Sequence, residues 1–459
     1  MKHRRQFLRS LGVVGAAALA GCGGRNTDET PDSPETRSAP QPRPPETSPA
    51  RVADELGLDE VRNLADAGAD TTGSEPIDDL LVEEATDGRL LYLPPGRYRV
   101  DDTIGLGADR LGVFGNDATI VPRDGYDTVL LAFGYPEPAR EVSIQGVTFD
   151  FTANQTGGRP ILARAQDSVV IRDVAVAGEV DVDNDVVRLD VTDPDGTGLV
   201  ERLSLPDGSM ADSGVTGAEV GAQNHGDVSF VDCHIEGFAD NGLYADPPEG
   251  SITVEGGLYK NNGISSIRIQ TSESSVVRGA HVVCDDGDLG LENMRGIRLR
   301  AGEELLVENC VVEMLEVSSS DGAITFASEL ESATVRNCQL RVDADDVNAV
   351  RVKSPSRDED GTQRGPFRCE DITITGSASG GAAIVAANRD QCEFRNVCVH
   401  QPGENRDGLS TQNVAGELVD ASVAVTGDPL SLQNSSIQRS NVTLSRDPGS
   451  ASCENSTTE

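Results

Sequence analysis

From Ile144 onward the chain repeats one short pattern: an apolar residue, a polar one, then Gly, Asn or Asp, then an apolar or small residue, a polar one and an apolar one. Ile144-Gln145-Gly146-Val147-Thr148-Phe149 and Ile171-Arg172-Asp173-Val174-Ala175-Val176 are two copies; further copies begin at Val200, Phe230, Val254, Val277, Val307, Val335, Cys369, Phe394, Leu418 and Ile437. These make about twelve rungs, most of them 23 to 30 residues apart, a period that suits either one turn of three short strands or a leucine-rich repeat. The third position decides between them. It is Gly146, Asp173, Asp232, Gly256, Gly279, Asn309, Asn337, Asp371, Asn396 and Asp420, with Arg202 and Arg439 as departures. Gly, Asn and Asp tolerate left-handed backbone geometry, so this position marks a sharp bend in every coil, and no leucine framework accompanies it.

Each rung carries a second apolar alternation about ten residues earlier: Val187-Arg188-Leu189, Ile267-Arg268-Ile269, Ile297-Arg298-Leu299, Ile324-Thr325-Phe326 and Val350-Arg351-Val352. Period-two alternation buries one face of a strand. Stacked coils then align Val, Ile and Leu in interior ladders, which agrees with an aromatic content of 3% and no Trp. The expected fold is all-β, a single-stranded right-handed parallel β-helix with a short N-terminal capping helix. The cap spans 51–106: Ile77, Leu80, Leu81 and Glu84 have helical spacing behind Pro76, with Asp78 and Asp79 in the first turn. Ala67-Gly68-Ala69-Asp70, that helix and Leu93-Pro94-Pro95-Gly96-Arg97-Tyr98 resemble the opening of pectate-lyase-superfamily β-helices. The resemblance covers roughly residues 60 to 445 and is specific for fold. This superfamily includes lyases, hydrolases, epimerases and inert scaffolds, so the resemblance leaves the chemistry open.

Charge narrows the partners. The sequence has 77 Asp plus Glu against 38 Lys plus Arg, a formal net charge of −39. Such a surface repels phosphate backbones, which excludes nucleic acid, and it resembles the proteome style of salt-loving archaea. At the N-terminus, Arg4-Arg5-Gln6-Phe7-Leu8-Arg9, an apolar run from Leu11 to Ala20 and Leu19-Ala20-Gly21-Cys22 resemble a twin-arginine signal with a lipobox. That resemblance implies an exported protein held on the outer face of the membrane by a lipid on Cys22. The alternative is one uncleaved span, for which the apolar run is short. The expected organisation is a signal at 1–22, a Pro/Thr/Ser/Glu-rich tether at 23–50, the β-helix at 51–445 and a disordered tail at 446–459.

Cys233, Cys310 and Cys338 share the slot after the bend and are expected inside as free thiols. Cys369, Cys392 and Cys398 lie close in the late rungs, where one bridge among them is plausible. Zinc is not expected, because no Cys-x-x-Cys pair or clustered His is present.

In the family resembled, ligands lie along one parallel sheet. Taking the second alternation as that sheet, its outward residues are Arg188, Glu219, Tyr244, Arg268, Arg298, Thr325 and Arg351, with Arg300 and Lys353 two residues further along. Within so acidic a chain this basic stripe suits the carboxylates of an acidic polysaccharide or cell-envelope glycan. Arg188, Tyr244, Arg300, Arg351 and Lys353 are the candidate binding residues, Tyr244 as a surface for a sugar ring. The bland alternative is that each Arg merely pairs with a nearby acid. For β-elimination the candidate base is Arg268 or Arg298, with Glu219 and Asp240 as further catalytic candidates. Calcium is the candidate cofactor, on Asp181, Asp183 and Asp185, taken to alternate along one strand, or on Asp285, Asp286 and Asp288; solvated surface acids are the alternative. Hydrolysis of a uronate polymer is a third possibility. It is weakened because Asp240-Asn241-Gly242 and Asn261-Asn262-Gly263 carry amides where paired acids are wanted, and His225-Gly226 and Arg268-Ile269-Gln270 only faintly echo polygalacturonase signatures. The other rival is a non-catalytic scaffold or adhesin.

Overall fold

The computed structural model describes residues 48–356, 365–450 and 453. The expected signal with Cys22, most of the expected tether and the charged stretch Arg357-Asp358-Glu359-Asp360-Gly361 lie outside them. The chain winds into a right-handed parallel β-helix of about 13 turns. One turn illustrates the rest. Its strands Asn241–Ala245, Ile252–Glu255 and Leu258–Lys260 pair in parallel with Ser265–Gln270, Val276–Arg278 and His281–Asp285 of the next turn.

The repeated apolar position stacks without slip. Leu91, Val113, Ile144, Ile171, Val200, Phe230 and Val254 form one ladder. It continues through Val277, Val307, Val335, Cys369, Phe394 and Leu418. Each of these residues is buried, so the ladder is continuous core rather than a set of separate contacts.

The bend residues have positive φ as their identities require, from Asn396 at 48° to Gly146 at 68°, and Arg202 does so at 53°. Arg202 is held there by donating from Nε and Nη2 to the two carboxylate oxygens of Asp173, the bend residue one turn earlier, at 2.6 and 2.9 Å. The last rung corrects the expected frame by two residues. Leu418 pairs with Arg439, so Arg439 occupies the ladder slot, exposed, and Asn441 makes the bend at φ 52°.

The capping helix spans Asp78–Glu84, and Ile77 and Leu81 close the start of the core. A second helix, Pro49–Leu56, begins within the stretch expected as tether. Ser48 caps it by accepting from the Arg51 amide, and its Val52 and Ala53 cover the outward Leu90 and Phe114 of the first coils. Cys233, Cys310 and Cys338 are buried free thiols. The expected bridge among the late cysteines is different: Cys398 pairs with Cys453, with Cα atoms 5.8 Å apart, while Cys369 and Cys392 remain free. The spacing missed this because a partner from the polar tail folds back 55 residues.

At Asn309, φ is 56° and the side-chain oxygen accepts from Asn337 Nδ2 at 2.5 Å. Asn309→Gly keeps the bend and loses the amide contact, an expected cost of about 1 kcal/mol. Asn309→Val adds about 1–2 kcal/mol for a β-branched residue in left-handed geometry. Urea midpoints at fixed salt check the order; equal midpoints for the two variants would mean that the bend does not require this conformation.

Candidate functional site

The second alternation forms one sheet, and the outward residues fall into one column. Arg188 is paired with Glu219, Glu219 with Tyr244, Tyr244 with Arg268, Arg268 with Arg298, Arg298 with Thr325 and Thr325 with Arg351. The column is therefore continuous over seven coils, but its cations differ in what they face.

At the early end the charge is already balanced. Arg188 contacts Asp190 at 3.0 Å and Glu219 at 3.2 Å, while Arg159, from the preceding coil, lies 3.2 Å from Asp185 and 3.5 Å from Glu219. Glu219 is thus committed to two arginines, although burial pushes its carboxyl above the usual range against their pull. At the late end Asp321 gathers Arg295 at 2.5 Å, Arg351 at 3.0 Å and Lys353. Burial alone would raise the Asp321 carboxyl, but hydrogen bonds from Lys353 and Arg295 hold it down at about 2. Arg300 pairs with Glu329. For Arg188, Arg300, Arg351 and Lys353, the bland alternative of local charge pairing describes what the structure contains.

The centre is different. The Arg268 guanidinium lies 4.0 Å above the Tyr244 ring, donates to Gln270 Oε1 at 3.2 Å and approaches Asp246 at 3.6 Å, and the Tyr244 hydroxyl donates to Asp246 at 3.1 Å. Arg268 covers one face of Tyr244, so the ring orients a guanidinium where a sugar-stacking face was expected. Arg298, next in the column, has no acid within 4 Å among the described residues, and its Nε is buried without an acceptor. Burial, reinforced by the like charges of Arg295, Arg268 and Arg300, lowers its proton affinity to about 10. Beside it, the hydroxyl of fully buried Thr325 also lacks a partner. Asp240 lies immediately before the strand carrying Tyr244. Burial, then Asp185, raise its carboxyl against the opposing pull of Arg268 and Arg298.

The acidic sets do not form metal sites. Asp181, Asp183 and Asp185 lie in a loop rather than along one strand. Each is turned to a different backbone amide: Asp181 to Gln155, Asp183 to Gly214 at 3.1 Å and Asp185 to Thr216 at 2.8 Å. Asp285 pairs with Lys260 at 3.3 Å, and Asp286 caps a short turn at the Asp288 amide. Among the described residues, no group of three or more His, Cys, Asp or Glu side chains is placed to hold a metal ion.

Sequence reasoning missed Arg159, Arg295 and Asp321. A signal for the last two exists: each precedes a glycine that lies one or two residues ahead of a strand of this sheet, in Arg295-Gly296 and Asp321-Gly322.

No protein-family model matches the sequence, and no curated protein matches it. Among solved structures, the chain is similar to the surface adhesin PfbA of Streptococcus pneumoniae, at 9% identity over 84% of this chain and 93% of that one, with a TM-score of 0.42. It is also similar to the A-module of a mannuronan C-5 epimerase of Azotobacter vinelandii, at 16% identity over 84% and 100%, with a TM-score of 0.39. A third is the family 28 exopolygalacturonase of Yersinia enterocolitica, at 10% identity over 83% and 78%, with a TM-score of 0.39.

The Asp321 cluster gives a pH prediction. A carboxyl held below its unfolded value contributes stability that is present above the unfolded pKa of about 4 and is lost as pH falls through about 2. Asp321→Asn is expected to lower the melting temperature at pH 7, with the gap to the unsubstituted protein narrowing below pH 4. A gap that is constant from pH 7 to pH 3 would remove Asp321 as the anchor of these three cations.

Proposed function

We propose that this β-helix binds an acidic polysaccharide along the column, with Arg298 taking a uronate carboxylate. The observation that supports this is an unpaired, half-buried guanidinium in a protein of net charge −39. Carboxylates are plentiful in the chain, yet among the described residues none within 4 Å serves Arg298, and a buried donor left without an acceptor costs about 1–3 kcal/mol. A ligand carboxylate relieves that cost and can meet the fork in bidentate fashion. Arg268, fixed by Tyr244, Asp246 and Gln270, supplies a second, preoriented donor one coil away.

A second reading is favoured by the lowered proton affinity of Arg298. Here Arg298, in its neutral form, is the base of a β-elimination: the proton beside the uronate carboxylate passes to it, the C–O bond to the departing sugar breaks as that oxygen takes a proton from water, and a C=C bond forms. Arg268 then holds the carboxylate. Glu219, engaged by two arginines, and Asp240, beside an amide, support a hydrolase poorly.

We place the protein outside the cell, anchored through Cys22. The Cys398–Cys453 bridge suits an oxidising compartment.

Titration calorimetry with oligogalacturonate and oligoguluronate in molar salt tests the binding. Arg298→Ala is expected to weaken affinity at least 10-fold, about 1.4 kcal/mol, whereas Arg188→Ala, whose charge is already balanced, stays within about 2-fold. Failure of the unsubstituted protein to bind any acidic glycan would sink the proposal. An ultraviolet-absorbing unsaturated product that disappears with Arg298→Lys would select the elimination reading; binding without product would select a non-catalytic binder.

A further inference from the structure

The last described coil has a free edge. Its strands, Leu430–Gln433 and Ser436–Ser445, pair in parallel with the preceding coil, and among the described residues no strand pairs with their other side. Leu432 and Leu444 are among the most exposed large apolar side chains described, at 39% and 38%. The two bends of this coil are Asn434 and Asn441, at φ 51° and 52°. Both are exposed, and each opens an Asn-x-Ser/Thr triplet, Asn434-Ser435-Ser436 and Asn441-Val442-Thr443. Such a triplet is the acceptor for N-linked oligosaccharides in exported proteins. The sequence has two more, Asn154-Gln155-Thr156 and Asn455-Ser456-Thr457, the latter outside the described residues.

Local geometry ranks the three described triplets, because transfer to a folded chain needs a reachable amide nitrogen and, two residues on, a reachable hydroxyl. At Asn434 both are open. In the two coils before it, Asn413 Nδ2 donates to Asn388 Oδ1 at 2.7 Å, but the Asn434 side chain makes no hydrogen bond among the described residues, so this ladder of amides ends on a free one. Ser436 is exposed, and its hydroxyl is also unbonded among them. Asn441 is partly engaged, since its Nδ2 donates to Asp420 Oδ1 at 2.7 Å. Asn154 is closed: Thr156 is fully buried, its hydroxyl donating to the Asn154 carbonyl at 3.2 Å and accepting from the Gly125 amide at 3.0 Å.

We propose that Asn434 carries an N-linked oligosaccharide, a hydrophilic cover for the free edge at the end of the stack. The proposal rests on the protein being exported. The donor is a lipid-phosphate-linked oligosaccharide: the bond from sugar C1 to the phosphate oxygen breaks, a bond from C1 to Asn434 Nδ2 forms, and one amide proton leaves with the lipid phosphate. The second observation behind the assignment is the edge itself. Its unpaired N–H and C=O groups are open to any passing strand, and a bulky solvated group at the bend stands in the way of such pairing. Asn434 follows the strand of the column's own sheet that lies five coils beyond Arg298, about 24 Å at 4.8 Å per coil, so the oligosaccharide leaves the central cations open.

The test is peptide mass spectrometry on the protein purified from the cells that naturally make it, with protease treatment of whole cells reporting which side of the membrane it occupies. The peptide containing Asn434 is expected to carry a sugar mass, at higher occupancy than Asn441, with Asn154 bare. Ser436→Ala is expected to abolish that mass and Ser436→Thr to retain it, since the acceptor triplet needs the hydroxyl and not the serine. Protein on the outer face with Asn434 bare, or with Asn154 or Asn441 occupied as fully as Asn434, overturns the assignment and leaves export intact. A mass that survives Ser436→Ala overturns it as well. Protein found only inside the cell, protected from protease, sinks the export reading, and the site falls with it. Circular dichroism spectra of both variants matching that of the unsubstituted protein keep the comparison free of folding effects.

Discussion

The structure depends on coils that stack in register, turn upon turn, with no slip along the interior ladder from Leu91 to Leu418. A shift of one residue in a strand would turn every inward side chain outward, so burial along the ladder fixes register strongly. The left-handed bend makes this repeatable. It returns the chain to the same lateral place once per coil, whatever the length of the intervening loops. Function inherits that regularity: residues from seven coils, far apart in sequence, become one straight file on the outer face of a sheet.

The file then differentiates by charge. In a chain this acidic, the default fate of an arginine is to find a carboxylate, and most do. Asp321 illustrates how far this goes, with three cations on one carboxylate. Arg298 departs from the rule in a place where burial makes departure costly, and both of its column neighbours, Arg268 and Thr325, also carry a buried polar atom without a partner. Among the described residues, the unpaired polar atoms of three consecutive coils thus lie in one patch.

The ladder, the bends and the column were legible before any coordinates, because a period-two pattern and a bend residue are local signals that repeat. Ile267-Arg268-Ile269 and Ile297-Arg298-Leu299 place their arginines outward by alternation alone, and their pairing confirms it. What could not be read was which charges cancel. Arg188 and Arg298 occupy equivalent places in the pattern, and the difference lies in Asp190, Glu219 and Arg159, set by side-chain reach across coils. The contact of Arg268 with one face of the Tyr244 ring could not be read for the same reason, since it too depends on side-chain reach across coils. The last coil was misframed because Arg439 stands where an aliphatic residue was expected, so the repeat signal fails where the repeat ends.

That terminal substitution has a consequence at the open end of the solenoid. A solenoid that finished on a clean aliphatic rung would offer its open end to the first coil of a neighbour, and head-to-tail growth into filaments would follow. An arginine in the final ladder position sets a cation against any incoming apolar rung. At the opposite end, Ile77 and Leu81 already close off the first coil. Both ends of the stack are thereby poor partners for a second apolar rung.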